Sequence, residues 1–147
     1  MMDDLFGHAG LGKKEISLFV DGASRGNPGP AGIGVVLRDG GNRTFKEFGK
    51  FIGETTNNVA EYTALICGLQ EALIQKVERI SVYTDSELLA RQLQGKYKVK
   101  EPRLKALHQQ ARYLIQGFHR FGIHHLPREE NRRADKLANQ AIDAMAL

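Results

Sequence analysis

The stretch EISLFVDGASRGNPGPAGIGVVLR, residues 15–38, decides the fold of this chain. Its apolar beginning predicts a first strand over residues 15–20, and the Gly-, Pro- and Asn-rich residues 21–30 predict a loop. A second strand is expected over residues 31–38, a hairpin turn over 39–42 and a third strand over 44–52. Because short connections join the three segments, they predict an antiparallel meander.

The period of the apolar residues changes after residue 56. Val59, Tyr62, Ile66, Leu69 and Leu73 recur with helical spacing and predict a helix over residues 57–75. A strand–helix–strand step is normally parallel and right-handed. If the next strand lies beside the first, their connections leave in opposite directions, at the kind of switch point where α/β proteins bind ligands. The remaining elements are expected as a strand at 79–84, a short helix at 86–93, a basic connector at 95–102, a helix at 104–115, a strand at 118–126 and a helix at 131–145.

The composition fits one domain with a core of its own. A chain of 147 residues that is 41% hydrophobic and 26% charged needs no disulfide or metal to fold. Its net charge of +4 favours anionic partners such as nucleic acid, although many basic proteins bind none. The single cysteine, Cys67, excludes an internal disulfide and is expected in the core, which suits a reducing compartment.

We expect a cytoplasmic protein that does not enter a membrane. No apolar run approaches the roughly 20 residues that span a bilayer. The first residues lack the basic flank and the apolar stretch of a signal peptide. Residues 1–13 mix Gly, Asp, His and Lys without periodicity, and we interpret them as a flexible N-terminal tail.

Two aspartates stand at the ends of apolar strands. Asp21 follows the first predicted strand directly, and Asp85 follows the fourth. If these strands are parallel neighbours, about 4.8 Å apart, one cation could bridge the two carboxylates and offset their repulsion. Each aspartate taken singly also suits the cap of a helix or a turn. Glu61 and Asp135 fall in the first turns of helices, where the helix dipole alone favours acids. Spacing therefore indicates a carboxylate cluster but does not name a reaction.

Four strings surround these acids: DGASRGNPGPAG at 21–32, TNNVAEY at 56–62, YTDS at 83–86 and NRRADKLA at 131–138. They resemble, in order and spacing, the motifs of type I ribonucleases H, and the resemblance covers roughly residues 14–146. It implies an α/β fold of the RNase H type, with a five-stranded mixed sheet ordered 3-2-1-4-5 and flanked by helices. It also implies that residues 14–147 form a catalytic domain.

The resemblance implies an endonuclease that hydrolyses the RNA strand of RNA/DNA hybrids and leaves 3′-hydroxyl and 5′-phosphate ends. The family uses Mg²⁺ or Mn²⁺, and two such ions about 4 Å apart suit phosphodiester hydrolysis. Carried over, Asp21 would bridge both ions, and Glu61 and Asp85 would hold the ion near the leaving group. Asp135 would hold the ion that activates water.

The resemblance also implies which residues hold the hybrid. Asn27, Asn57 and Asn58 would read the minor groove, where 2′-hydroxyls distinguish RNA from DNA. Without the family string, the adjacent asparagines 57 and 58 would be interpreted as a helix cap. The remaining predicted substrate residues are Gly22, Ala23 and Ser24, through their backbone groups, and Thr56, at a position that holds a DNA phosphate.

The chain departs from the family pattern at three places. His125 lies ten residues before Asp135, as a mobile catalytic histidine does in many members, but the usual glycines around it are missing. His125 is therefore either a catalytic residue or a solvated strand residue, and Arg128 could take over its role. The basic handle of some bacterial members is reduced to GKYKVK at 95–100, and Glu54 replaces a basic residue near the phosphate position.

Other functions remain open from the sequence. One is another nuclease on the same fold, such as a junction resolvase, an exonuclease or a transposase core. A broader ribonuclease that also cuts double-stranded RNA is a variant of the main prediction. A non-catalytic hybrid-binding module is a third possibility, and the RNase H part of a reverse transcriptase is a fourth. We expect a monomer.

Overall fold

The computed structural model describes residues 15–145, so the predicted tail at residues 1–13 lies outside it. Five strands form one mixed sheet in the order β3-β2-β1-β4-β5, which confirms the predicted order. β1 pairs antiparallel with β2, and β2 with β3, whereas β1–β4 and β4–β5 are parallel pairs. The strands are β1 Glu15–Ser24, β2 Gly29–Arg38, β3 Thr44–Thr55, β4 Arg79–Thr84 and β5 Arg120–His125.

Four α-helices flank this sheet in the described part of the chain. Their bounds are α1 Asn57–Ile74, α2 Glu87–Leu93, α3 Pro102–Ile115 and α4 Arg132–Met145, and a 3₁₀ turn, Arg128–Glu130, precedes α4. The third helix begins earlier than residue 104 because Pro102 suits a first helical turn and the Glu101 carboxylate accepts the Arg103 N–H at 3.0 Å.

The two faces of the sheet carry different helices. Successive side chains of a strand point to opposite faces, and Leu18 and Val20 of β1 are fully buried in the main core. A Cβ at Gly68 of α1 would lie 2.9 Å from Leu18, so α1 covers that face. Asp21 has the opposite parity and points to the face that α4 covers.

Glycines let α4 approach its face of the sheet closely. A Cβ at Gly34 would lie 1.9 Å from the Ala134 carbonyl oxygen, and one at Gly32 would lie 2.5 Å from that of Ala138. Side chains at these positions would push the helix away from β2. The sheet therefore fixes the position of the helix that carries Asp135.

The predicted loop at residues 21–30 is wrong at both ends. β1 continues to Ser24 and β2 begins at Gly29, because Gly22, Ala23 and Ser24 pair with residues 31–33 across the hairpin. These glycine- and proline-rich segments have weak strand propensity, and the ladder that pairs them is a tertiary feature. The parallel pairing of β1 with β4 does end at Val20 and Thr84, so Asp21 and Asp85 still begin where that pair ends.

Two further expectations concern the core and the membrane. Cys67 is half-buried and packs against the core, and burial raises the pKa of its thiol. Within residues 15–145, none of the helices combines the length and the apolar character that crossing a membrane requires.

Candidate metal centre and nucleic-acid cleft

Asp21 and Asp85 emerge side by side from the centre of the sheet. Val20 and Thr84 are the last parallel pair of β1 and β4, and each aspartate is the next residue along the chain. The carboxyl ends of two neighbouring parallel strands thus present two carboxylates on one edge, as the sequence predicted.

Glu61 reaches the same point from α1. This helix begins after Thr56, whose side chain accepts the Val59 N–H at 3.3 Å as a cap. Glu61 Oε1 accepts the Gly22 N–H at 2.8 Å, which fixes the carboxylate against β1. A Cβ at Gly22 would lie 2.2 Å from the Ala60 backbone, so only glycine allows this approach.

The three carboxylates form a compact group. One oxygen each from Asp21, Glu61 and Asp85 can be chosen so that all lie within 4.8 Å of one another. Asp21 is 4% exposed and Glu61 6%, so two of the acids are almost completely removed from water. Buried oxygen ligands at this spacing fit a hard divalent cation such as Mg²⁺.

The cluster carries unfavourable charge of one sign. Burial, followed by the charges of Glu61 and Asp85, raises the pKa of Asp21 well above its ordinary value. Burial also raises the pKa of Glu61, with the charges of Asp85 and Asp135 adding to it, although the Gly22 N–H acts in the opposite sense. Burial raises the pKa of Asp85 as well. Perturbed carboxyl groups in a cleft are typical of a functional site.

Asp135 joins the group from α4. It is not one of the three mutually close carboxylates, but it lines the same cleft of about 410 Å³ and contributes to raising the Asp21 pKa. The Arg128 Nη2 lies 3.7 Å from Asp135 Oδ1, and Asn139 Nδ2 donates to the same oxygen at 3.2 Å. The structure thus brings all four predicted acids to one cleft.

Asn131 holds the two strands and the start of α4 together. It is 1% exposed, and its Nδ2 donates to the Val20 carbonyl at 2.9 Å. A hydrogen bond from Asn131 also lowers the Asp85 pKa and partly opposes the effect of burial. Its Oδ1 has no hydrogen-bond partner within residues 15–145. The asparagine in the fourth motif is therefore part of the support of the carboxylate cluster.

The predicted substrate residues lie beside the cluster, in two groups. Gly22, Ala23, Ser24 and Asn57 line the cleft itself. Asn27 and Asn58 are exposed next to it, and Thr56 is half-buried at the N-terminus of α1. Asn27 Oδ1 accepts the Asn57 N–H at 3.1 Å, which ties the β1–β2 hairpin to α1. The Ser24 hydroxyl donates to the Thr55 carbonyl at 2.8 Å.

His125 and Arg128 differ in their relation to the cleft. His125 is the exposed last residue of β5 and pairs with Thr84, and it is not among the residues that line the cleft. Arg128 does line the cleft and reaches Asp135. The geometry favours the solvated-strand interpretation of His125.

Four residues that the motifs did not single out also belong to this region. Arg25, Ser86 and Asn139 line the cleft. Arg103 of α3 donates to Thr55 Oγ1 at 3.2 Å and so brings a positive charge to the residue that precedes Thr56. Asn139 lies four residues after Asp135 on a helix, a spacing that could have revealed it. Nothing local in the sequence reveals that Arg103 lies there.

Comparisons with known proteins agree with this geometry. The family model described as reverse transcriptase-like matches residues 19–141. The ribonuclease HI of Halobacterium salinarum is 44% identical over 128 residues, which cover 87% of this chain and 64% of that protein. The chain thus spans less than two thirds of that relative. The ribonuclease H of Halorhodospira halophila is 35% identical and is covered over 94% of its length.

A solved structure is similar in three dimensions. The crystal structure of LC11-RNase H1 in complex with an RNA/DNA hybrid superposes with a TM-score of 0.87 at 46% identity, covering 90% of this chain and all of that chain. LC11-RNase H1 therefore binds its RNA/DNA hybrid with the same fold that this chain has.

Proposed function

Because this chain belongs to the type I ribonuclease H family, we propose that it cleaves the RNA strand of RNA/DNA hybrids. The observation that carries the proposal is the group of three carboxylates, with oxygens within 4.8 Å, at the floor of an open cleft. A nuclease needs such a site, whereas a non-catalytic binding module would gain only repulsion of phosphates from it. The chain's net charge of +4 supports an anionic substrate around this acidic centre.

We propose that the cleft binds two divalent cations, Mg²⁺ or Mn²⁺. Asp21, whose pKa all three other acids raise, would hold both ions; Glu61 and Asp85 would hold the ion near the leaving group, and Asp135 the ion near the attacking water. Two ions held in this way would supply activation of the attacking water and stabilisation of the charge on the phosphoryl group. The Gly22 N–H holds one Glu61 oxygen at 2.8 Å, and this fixed position of the carboxylate supports the assigned role.

The protein's own contribution to the reaction is orientation. Exposed Asn27, whose Oδ1 is engaged by the Asn57 N–H, can offer its amide donor to a 2′-hydroxyl in the minor groove. Asn57 and Asn58 follow on the first turn of α1, beside Glu61. Asn57 and Asn58 lie about one helical turn from Glu61, which supports the proposal that they align the RNA strand with the acids.

We propose that the DNA strand is held at a second position, at Thr56. Its hydroxyl caps α1, and the guanidinium of Arg103 lies next to it through Thr55. A helix N-terminus with an adjacent arginine favours a phosphate. Arg103 thereby supplies the positive charge that Glu54 does not. Lys96, Lys98 and Lys100, all in the exposed connector before α3, add charge for the backbone.

Cleavage in this arrangement is endonucleolytic and leaves 3′-hydroxyl and 5′-phosphate ends. All four acids come from one chain, so a monomer suffices for the reaction. A single, half-buried cysteine is compatible with a reducing compartment, and we propose a cytoplasmic location.

The test uses an end-labelled RNA/DNA hybrid incubated with Mg²⁺, with Mn²⁺ or with EDTA. Duplex RNA, duplex DNA and the Asp21→Asn protein serve as controls. Cutting of the hybrid's RNA strand alone, dependent on metal and lost in Asp21→Asn, is the expected result. No cutting with either metal would contradict the enzyme and leave a binding module, and cutting of duplex RNA would broaden the substrate.

A further inference from the structure

α4 carries a stripe of polar residues one turn apart. Asp135, Asn139 and Asp143 follow each other at intervals of four, so they share one face of the helix. This face is turned towards Arg25, at the end of the β1–β2 hairpin. The Arg25 Nη1 lies 2.6 Å from Asp143 Oδ1, and its Nη2 donates to Asn139 Oδ1 at 3.2 Å. Asn139 thus stands between a guanidinium and the Asp135 carboxylate.

The two charges fix the orientation of the Asn139 amide. Its Nδ2 donates to the Asp135 backbone oxygen at 3.0 Å and to Asp135 Oδ1 at 3.2 Å, while its Oδ1 accepts from Arg25. A rotated amide would place its NH₂ against the guanidinium and its oxygen against the carboxylate. Both contacts would then be repulsive, so only one orientation is satisfied.

Asn139 acts on the Asp135 side chain, which is less constrained than the other acids. The Asp135 side chain is 31% exposed, and the guanidinium of Arg128, 3.7 Å away, belongs to a side chain that is 78% exposed. Asp21 and Glu61, in contrast, are held by burial. Asparagine is a poor helix former because its side chain competes for backbone hydrogen bonds. Its presence within α4 is therefore explained by the contact with Asp135.

We propose that Asn139 is a positioning residue that holds the Asp135 carboxylate ready for a divalent cation. The amide hydrogen bond, which shares Asp135 Oδ1 with Arg128, leaves Asp135 Oδ2 to the ion and limits rotation of the carboxylate. Through Arg25, the same amide ties this ligand to the hairpin that carries Asn27. This inference rests on the proposed metal-dependent function and adds a residue outside the four recognised motifs.

The test compares the full chain with Asn139→Ala and uses Mn²⁺ as the probe. Binding is measured on the protein alone through the loss of the free-ion EPR signal. Cleavage of the hybrid is measured against metal concentration. We expect a dissociation constant for Mn²⁺ about threefold to tenfold higher, since one hydrogen bond to a charged group is lost at a half-exposed site. The metal concentration for half-maximal cleavage should rise by a similar factor, and KM for the hybrid at saturating metal should change less than twofold.

Two further variants separate positioning from a general structural effect. Gln140→Ala makes the matched amide-to-methyl change at the exposed next residue and should bind Mn²⁺ as the parent does. Asn139→Gln keeps an amide that can reach Asp135 from position i+4, so it should recover part of the affinity. Alanine favours a helix more than asparagine does, so Asn139→Ala should fold.

Equal Mn²⁺ affinity in the parent and in Asn139→Ala would overturn the inference while leaving the proposed function intact. An effect confined to the KM for the hybrid would overturn it as well. A parent chain that binds no Mn²⁺ and cuts no hybrid would overturn the proposed function and the inference together.

Discussion

The acidic cluster should make the protein less stable than a variant that lacks one of its charges. Asp21 is 4% exposed and lies within 4.8 Å of both Glu61 and Asp85. At an effective dielectric constant of about 20, two unit charges at this distance repel each other by about 3 kcal/mol. Replacing Asp21 with Asn removes the acid that takes part in both pairs, and the new amide can still donate to the neighbouring carboxylates.

Asp21→Asn should stabilise the folded protein by less than the sum of the two repulsion energies. The raised pKa values of Asp21, Glu61 and Asp85 mean that the folded cluster already binds protons and relieves part of its charge. We therefore expect Asp21→Asn to raise the free energy of unfolding by about 2–4 kcal/mol at pH 8 in EDTA. For a chain of this size that corresponds to an increase in Tm of very roughly 6–12 °C. The same variant should not cleave hybrid.

The sign of the pH dependence follows from the direction of the shifts. Each of the three carboxyl groups has a higher pKa in the folded protein than in the unfolded chain, where the pKa is about 4. The folded state then binds more protons above that pH, so the parent loses stability as the pH rises from about 4 towards neutral. The advantage of Asp21→Asn should be small near pH 4 and grow towards pH 8.

Urea unfolding followed by circular dichroism, at pH 4, 6 and 8 in EDTA, measures this advantage directly. Glu129→Gln removes an exposed acid that follows Arg128 in the chain and should change stability by less than about 0.5 kcal/mol. Adding Mg²⁺ at pH 8 should stabilise the parent more than Asp21→Asn. An Asp21→Asn protein that is less stable than the parent at pH 8, or a difference that does not change with pH, would refute the electrostatic reasoning.

Three other predictions follow from the packing and the charges around the cleft. Gly34→Ala should lower the free energy of unfolding by about 2 kcal/mol or more, because its Cβ would lie 1.9 Å from the Ala134 carbonyl of α4; unchanged urea unfolding would contradict the close approach. Arg128→Ala should lower the cleavage rate about tenfold, since Arg128 lines the cleft. His125→Ala, at an exposed strand end, should lower it less than twofold. A larger loss in His125→Ala than in Arg128→Ala, measured in a single-turnover assay, would support a catalytic role for the histidine. Arg103→Ala should raise KM for the hybrid without lowering kcat and reduce the slope of log KM against log salt by about one unit; an unchanged slope would remove Arg103 from the phosphate position.

Much of the candidate site could be predicted because its residues fall at positions that local patterns already mark. Asp21 and Asp85 follow apolar strands, and the order of strands and helices predicts a switch point between them if those two strands are neighbours. Glu61 and Asp135 could be predicted only through the motifs, since acids in the first turn of a helix have an ordinary explanation. The hybrid-binding residues likewise depended on the resemblance and stay predictions.

The sequence by itself determined the order of the elements, the five-stranded mixed sheet and the four acids, because apolar periodicity and motif spacing are local properties. Tertiary structure decided which neighbours each acid has. β1 extends through Gly22–Ser24 only because these residues pair with β2 across the hairpin. α4 lies close to Asp21 only because the glycines at 32 and 34 allow it to pack closely on β2. Asp135 contacts Asn139, which lies 4 residues away along the chain, and through Asn139 it is linked to Arg25, which lies 110 residues away. Contacts between distant segments form when the faces of the sheet are covered, and no local pattern records them.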